Sequence, residues 1–175
     1  MSAAAAGVVE GERLHQFERI LLASEGRAIP DAAIARVVEL ALTSGASVRV
    51  FSIARVHGVA FGLPNPGLVP TKREWAEQRE IVAGAVKRLT RKGLQADGEV
   101  LGTRKATSRI IKEATRYECE AIVMAADPDR NRLIADLLWS QEPQRVRRRA
   151  RVPVFLVRER DQGGPLTGAR PARAR

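Results

Sequence analysis

The chain has 175 residues, a formal net charge of +10 and a sequence pI near 11.0. That length suits one domain with a real core and short tails, and an apolar fraction of 45% excludes wholesale disorder. One cysteine and two histidines exclude an internal disulfide and a Cys/His metal cluster, and no apolar run approaches the ~20 residues that span a bilayer.

Residues 1–15, rich in Ala, Gly and Glu, read as a disordered or weakly helical leader. They lack the basic start and long apolar stretch of a signal peptide, so a cytoplasmic location is expected. Ile20-Leu21-Leu22-Ala23 has the length of a buried strand, and Glu25-Gly26 ends it. Pro30 and Asp31 suit the first turn of a helix whose apolar positions are Ile34, Val37, Val38, Leu40 and Ala41. Gly45 closes that helix, and Val48 to Ile53 forms the next strand.

Residues 58–70 carry three glycines and three prolines and read as a long loop. Thr71 and Glu74 have the spacing of a capping box. The helix they open buries Ile81, Val82, Ala85, Val86 and Leu89 and stops at Gly93. A short strand, Gly98 to Leu101, precedes a helix from Thr107 to Tyr117 with Ile110, Ile111 and Ala114 inward. Ala121 to Ala125 is a strand. A polar turn and a basic helical run follow, and Val152-Pro153-Val154-Phe155-Leu156-Val157 is the last strand. Pro143 should kink or restart the basic helix.

This alternation predicts an α/β fold: a single-domain, doubly wound, five-stranded parallel sheet with helices on both faces. The domain is expected over residues 16–160, with 161–175 a disordered basic tail. Charge is concentrated late. Residues 144–175 hold ten arginines against Glu159 and Asp161. Arg145, Arg147, Arg148, Arg149 and Arg151 form a basic patch on the last helix. Cations near a helix C-terminus oppose its dipole, which accounts for several of them. A nonspecific nucleic-acid contact is the weaker alternative, since no aromatic residue is interleaved.

In order and spacing, Ile20-Leu21-Leu22-Ala23-Ser24-Glu25-Gly26, Ala35 to Ala41, Gly102 with Ile110 to Ala114, and the last two strands resemble the universal stress protein family. The resemblance implies the same five-stranded sheet, of the adenine nucleotide alpha hydrolase-like type, and a role in stress response. Many members bind ATP through an Asp after the first strand, an aliphatic residue on the second, a Gly-x-x-Gly turn and a later Gly-Ser. Glycine permits close backbone approach, and free N–H groups hold the anion.

Here Glu25 takes the Asp position and Ile53 the aliphatic one, while the turn reads Ala125-Ala126-Asp127-Pro128 and the Gly-Ser falls at Trp139-Ser140. Pro128 has no N–H to donate. Asp127 or Asp129 at ~4 Å from a phosphate charge repels it by about 4 kcal/mol at an effective dielectric near 20. Glu25, Ile53, Ala125, Pro128 and Ser140 are therefore family binding positions in which phosphate chemistry is altered.

The expectation is a non-catalytic regulatory or protein-binding module in stress response, with no favoured cofactor. ATP or another adenine nucleotide in a remodelled phosphate site is the alternative. Asp127 and Asp129 read as turn formers rather than metal ligands. His57 reads as a solvated loop residue and Cys119 as a small filler. The family's dimers pair the last strand with its copy. That points to a homodimer through Val152, Val154, Phe155 and Leu156, with Val154 to Leu156 exposed for the purpose. Any further protein partner is left unspecified, and no membrane association is expected.

Overall fold

The computed structural model of the protein describes residues 17–55, 70–126 and 141–158, with the backbone of 59–60 and 63–64. The leader at 1–15, the tail at 161–175, His57, Asp127 to Asp129, Trp139 and Ser140 lie outside the described residues.

The elements are β1 (Arg19–Ser24), α1 (Asp31–Leu42), β2 (Ser47–Arg55), the two-residue strands β3 (Val59–Ala60) and β4 (Leu63–Pro64), α2 (Lys72–Arg91), β5 (Ala96–Thr103), α3 (Ala106–Arg116), β6 (Ala121–Ala126), α4 (Glu142–Arg149) and β7 (Val154–Arg158). Five strands form one parallel sheet in the order β5-β2-β1-β6-β7, and β3 pairs antiparallel with β4.

Central β1 is covered on both faces, which explains its unbroken apolar run. Ile20 and Leu22 face a core shared with α1 and α2. Leu21 and Ala23 face a second core built with α3 and α4. Each fully buried Leu or Ile contributes about 2 kcal/mol relative to an exposed one.

Local chemistry sets the boundaries. Thr71 and Glu74 form the reciprocal capping box on α2. Gly45 and Gly93 have φ of 70° and 84°, which only glycine adopts without strain. Pro143 sits in the first turn of α4, where its missing N–H is harmless. The described part of the basic run is a helix that begins at Glu142; the residues just before Gln141 lie outside the described residues.

Two expectations need correction. β5 runs from Ala96 to Thr103, longer than Gly98–Leu101, because it pairs with β2 along its whole length. In β7, Val154 and Phe155 are 2% and 8% exposed, so they are not free for a partner. Alternation sends Val154 into the α3/α4 core and Phe155 into the α1 core, edge-on to Phe17 at 6.1 Å. β7 does lie at a sheet edge. Its open side offers backbone, with only Val152 and Leu156 half-buried among those four residues.

Candidate functional site

The strand order reverses between β1 and β6, and in open parallel sheets ligands enter beside such a point, at the C-terminal strand ends. Here that region begins with the turn after β1. Ser24 Oγ accepts from the Gly26 N–H at 3.1 Å and donates to the Arg27 carbonyl at 2.6 Å. Gly26 has φ of 108°, a value that disfavours any side chain. Glu25 is only 1% exposed, with Arg27 Nε 2.6 Å from its Oε1.

A neighbouring network holds this turn. Gln78 of α2, itself buried, donates through Nε2 to the Gly26 carbonyl at 3.1 Å. Its Oε1 accepts from Ser52 Oγ of β2 at 2.7 Å. Replacing Gln78 with leucine removes both bonds and strands the buried Ser52 hydroxyl and the half-buried Gly26 carbonyl. The expected loss is about 1–3 kcal/mol in urea unfolding, with an unchanged m-value.

Ile53 of β2 has no exposed surface and packs in the α3/α4 core. Ala125 is half-buried near the end of β6, opposite Val157. The structure thus brings Glu25 and Ala125 to the ends of adjacent strands and leaves Ile53 inside the core. Pro128 and Ser140 lie outside the described residues.

At the same end of the sheet, Glu142 from the first turn of α4 reaches the N-terminus of α3. Its Oε2 accepts from the Thr107 N–H at 3.0 Å and from the Thr107 hydroxyl, and its Oε1 accepts from Arg145 at 3.1 Å. α3 has no capping side chain of its own at Lys105. A carboxylate from another helix therefore occupies a position where free N–H groups would attract an anion.

Gln78, Ser52 and Glu142 were absent from the sequence-level candidates. Their partners stand 26, 35 or 52 residues away, so the pairings emerge only with the strand order. Gly102 does carry a local signal. A Cβ there would come within 3.0 Å of the Trp75 ring and 3.1 Å of Pro70, so the glycine admits the start of α2.

The opposite, N-terminal end of the sheet has a cleft of about 430 Å³ lined by Arg19, Arg49, Asp97, Tyr117 and Cys119, among others. Arg49 is its hub, with a side chain 12% exposed. It meets Asp97 at 3.0 Å, Glu113 at 3.4 Å and the Tyr117 hydroxyl at 2.7 Å, pairs with Glu99, and lies 4.0 Å from the centre of the Tyr117 ring.

Burial alone would lower the Arg49 pKa, but the hydrogen bond and charge of Asp97, with Tyr117 and Glu113, raise it. Burial and then Glu99 push the Glu113 carboxyl above its ordinary range, against the pull of Arg49. Burial, assisted by Glu113, pushes the Cys119 thiol up to about 11. Cys119 is also only 5% exposed. It should resist iodoacetamide at pH 8 and react promptly once urea unfolds the chain. Its raised pKa favours the neutral thiol, so this contribution to stability persists below about pH 9 and is lost as pH rises through about 11. Equal alkylation rates for folded and unfolded protein would contradict this account.

Among the described residues, no group of three His, Cys, Asp or Glu side chains is placed to hold a metal, and no helix is long and apolar enough to cross a membrane.

These features define a doubly wound α/β sandwich whose topological switch point lies between β1 and β6. The model of the universal stress protein family matches residues 16–158, and the chain belongs to that family. Solved structures agree on the fold. A universal stress protein family member from Burkholderia pseudomallei is 20% identical over 82% of this chain and 97% of its own, with a TM-score of 0.59. The universal stress protein from Archaeoglobus fulgidus in complex with dAMP is 19% identical over 81% of this chain and 98% of its own, with a TM-score of 0.59. UspA from Lactobacillus plantarum is 15% identical over 82% of this chain and 99% of its own, with a TM-score of 0.63. No curated protein matches the sequence.

Proposed function

We propose that the protein is a homodimeric, non-catalytic regulatory module of the stress response, located in the cytoplasm, that does not bind ATP in the family manner. The observation that carries this reading is the state of the two family adenosine positions. Glu25 is buried against Arg27, and Ile53 is fully buried in the core. Neither side chain presents a surface for a purine or ribose to contact. The carboxylate of Glu142 at the α3 N-terminus, and the Asp-Pro-Asp sequence at 127–129, further disfavour a triphosphate.

Partner binding then becomes the way the module acts. The open side of β7 supplies the surface for a symmetric pair, through backbone groups rather than through Val154 or Phe155. Light scattering on the purified protein should return twice the 19.1 kDa chain mass, and a monomer at 100 μM would contradict the assembly.

The dAMP complex of the Archaeoglobus relative favours one second reading, an adenine monophosphate held beside Glu25 with a smaller phosphate demand. Mass spectrometry of small molecules released from the native protein separates the two. The first reading expects no stoichiometric nucleotide, and a bound adenosine monophosphate would establish the second.

A further inference from the structure

α3 and α4 lie side by side on one face of the sheet, joined by Ile110, Ala114 and Val146 in their shared core. The outward surface of this pair carries a one-sided charge. On α3 and its N-cap, Lys105, Arg109, Lys112 and Arg116 are all exposed and recur every three or four residues, which is one helical stripe. On α4 and just beyond it, Arg145, Arg148, Arg149 and Arg151 are exposed as well.

No exposed acid interrupts either helix. Glu113 of α3 is buried against Arg49, and Glu142 of α4 is engaged by Thr107 and Arg145. Among the described residues, the acids at least partly exposed around this pair are Asp97 and Glu99 of edge strand β5, both held by Arg49, and Glu118 and Glu120 past the end of α3, which contact Arg19 and the Glu18 amide. The other face of the sheet is different. There Asp31, Glu39, Glu77 and Glu80 are exposed among the basic residues of α1 and α2.

We propose that the α3/α4 face is a docking surface for the phosphate backbone of double-stranded DNA. A stripe from Lys105 to Arg116 is roughly 16 Å long at 1.5 Å per residue. One duplex strand presents about five phosphates over that length, at one per 3.4 Å of axis. The α4 cations form a second row about 10 Å away, the usual spacing of packed helices, and long Arg and Lys side chains bridge the remaining gap.

Two further features select this partner. Among the described residues the face lacks an exposed aromatic platform: Tyr117, beside it, is half-buried with the Arg49 and Arg116 guanidinium groups over its ring at 4.0 and 5.4 Å. Single strands are gripped largely by base stacking on such platforms, so a paired backbone fits better. The cations also sit on regular helices at fixed spacing, which suits a regular array of phosphates. Binding of this kind positions the protein without reading sequence.

Fluorescence anisotropy with a 20-base-pair duplex and the full chain tests this directly. The slope of log affinity against log salt should be about −5, equivalent to roughly a thousandfold loss between 50 and 200 mM salt. Arg109→Gln, Lys112→Gln, Arg148→Gln and Arg149→Gln together should weaken binding more than 30-fold at 50 mM and flatten the slope by about 3.6. The matched control, Lys72→Gln, Arg73→Gln, Lys87→Gln and Arg91→Gln on α2, removes the same charge and should change affinity less than threefold. Equal losses from the two sets would overturn the proposal, as would an unchanged slope in the first set, which would assign binding to charges elsewhere in the chain. Tighter binding to phosphatidylserine vesicles than to the duplex at the same salt would also overturn it.

Discussion

Replacing Arg49 with methionine is expected to destabilise the fold by about 3 kcal/mol at pH 7.5, the scale for stripping the partner from a buried charge. Methionine retains most of the aliphatic packing, so the loss is electrostatic. Asp97 and Glu99 are 67% and 40% exposed and can turn to water, whereas Glu113, at 8%, cannot. Burial already raises the Glu113 pKa, and Arg49, ahead of Arg116, is the main group that lowers it, so removing Arg49 raises it further. A raised pKa favours the neutral acid. The penalty is therefore full above that pKa and fades as pH falls through it. The deficit of the variant should be largest at pH 7–8 and should shrink as pH falls towards 5. Adding Glu113→Leu should restore more than half of the lost stability at pH 7.5. A deficit of equal size at pH 5 and pH 8 would show that Arg49 acts through packing instead.

The second large effect concerns assembly. The Ile122 N–H donates to the Pro153 carbonyl, so the backbone groups of residues 153, 155 and 157 face β6. Those of Val154 and Leu156 then point to the open edge. Leu156→Pro removes an outward N–H and leaves the β6 ladder intact, the one arrangement in which a strand tolerates proline. In a symmetric strand pair the change acts twice. Two lost hydrogen bonds with stranded carbonyls amount to about 3 kcal/mol, or a dimer roughly 100-fold weaker. Phe155→Pro, by contrast, breaks the ladder to β6 and should unfold the C-terminal edge. A Leu156→Pro protein that folds and remains as tight a dimer as the parent would place the interface elsewhere.

Much of the fold was legible in the chain because its signals are local. The apolar run of β1, the Thr71–Glu74 box and the glycines after α1 and α2 each act within a few residues. β5 was read too short for a physical reason. Asp97 looks like a turn residue in sequence, but on an edge strand it points, as Glu99 does, towards Arg49 on a face that α3 leaves partly open. β7 was misread in a related way. Its apolar side chains suggested a sticky surface, yet alternation spends Val154 and Phe155 on the two cores of the same chain.

The site was less legible. Glu25 and Ala125 were placed by resemblance, but the burial of Glu25 against Arg27 and of Ile53 beneath α3 depends on how strands and helices stack. Arg49 draws partners from 48 to 68 residues away, a convergence that no window of sequence reveals. The α3 stripe was present in the spacing of Lys105, Arg109, Lys112 and Arg116. It acquires meaning only once α4 is seen to lie next to it.

The central claim is that this family member has closed its triphosphate site. Calorimetric titration of MgATP into the purified protein tests it most directly. The account predicts no resolvable heat of binding with up to about 1 mM ligand, corresponding to a binding free energy weaker than about −4 kcal/mol. One MgATP per chain with a micromolar Kd, abolished by Glu25→Ala, would contradict it.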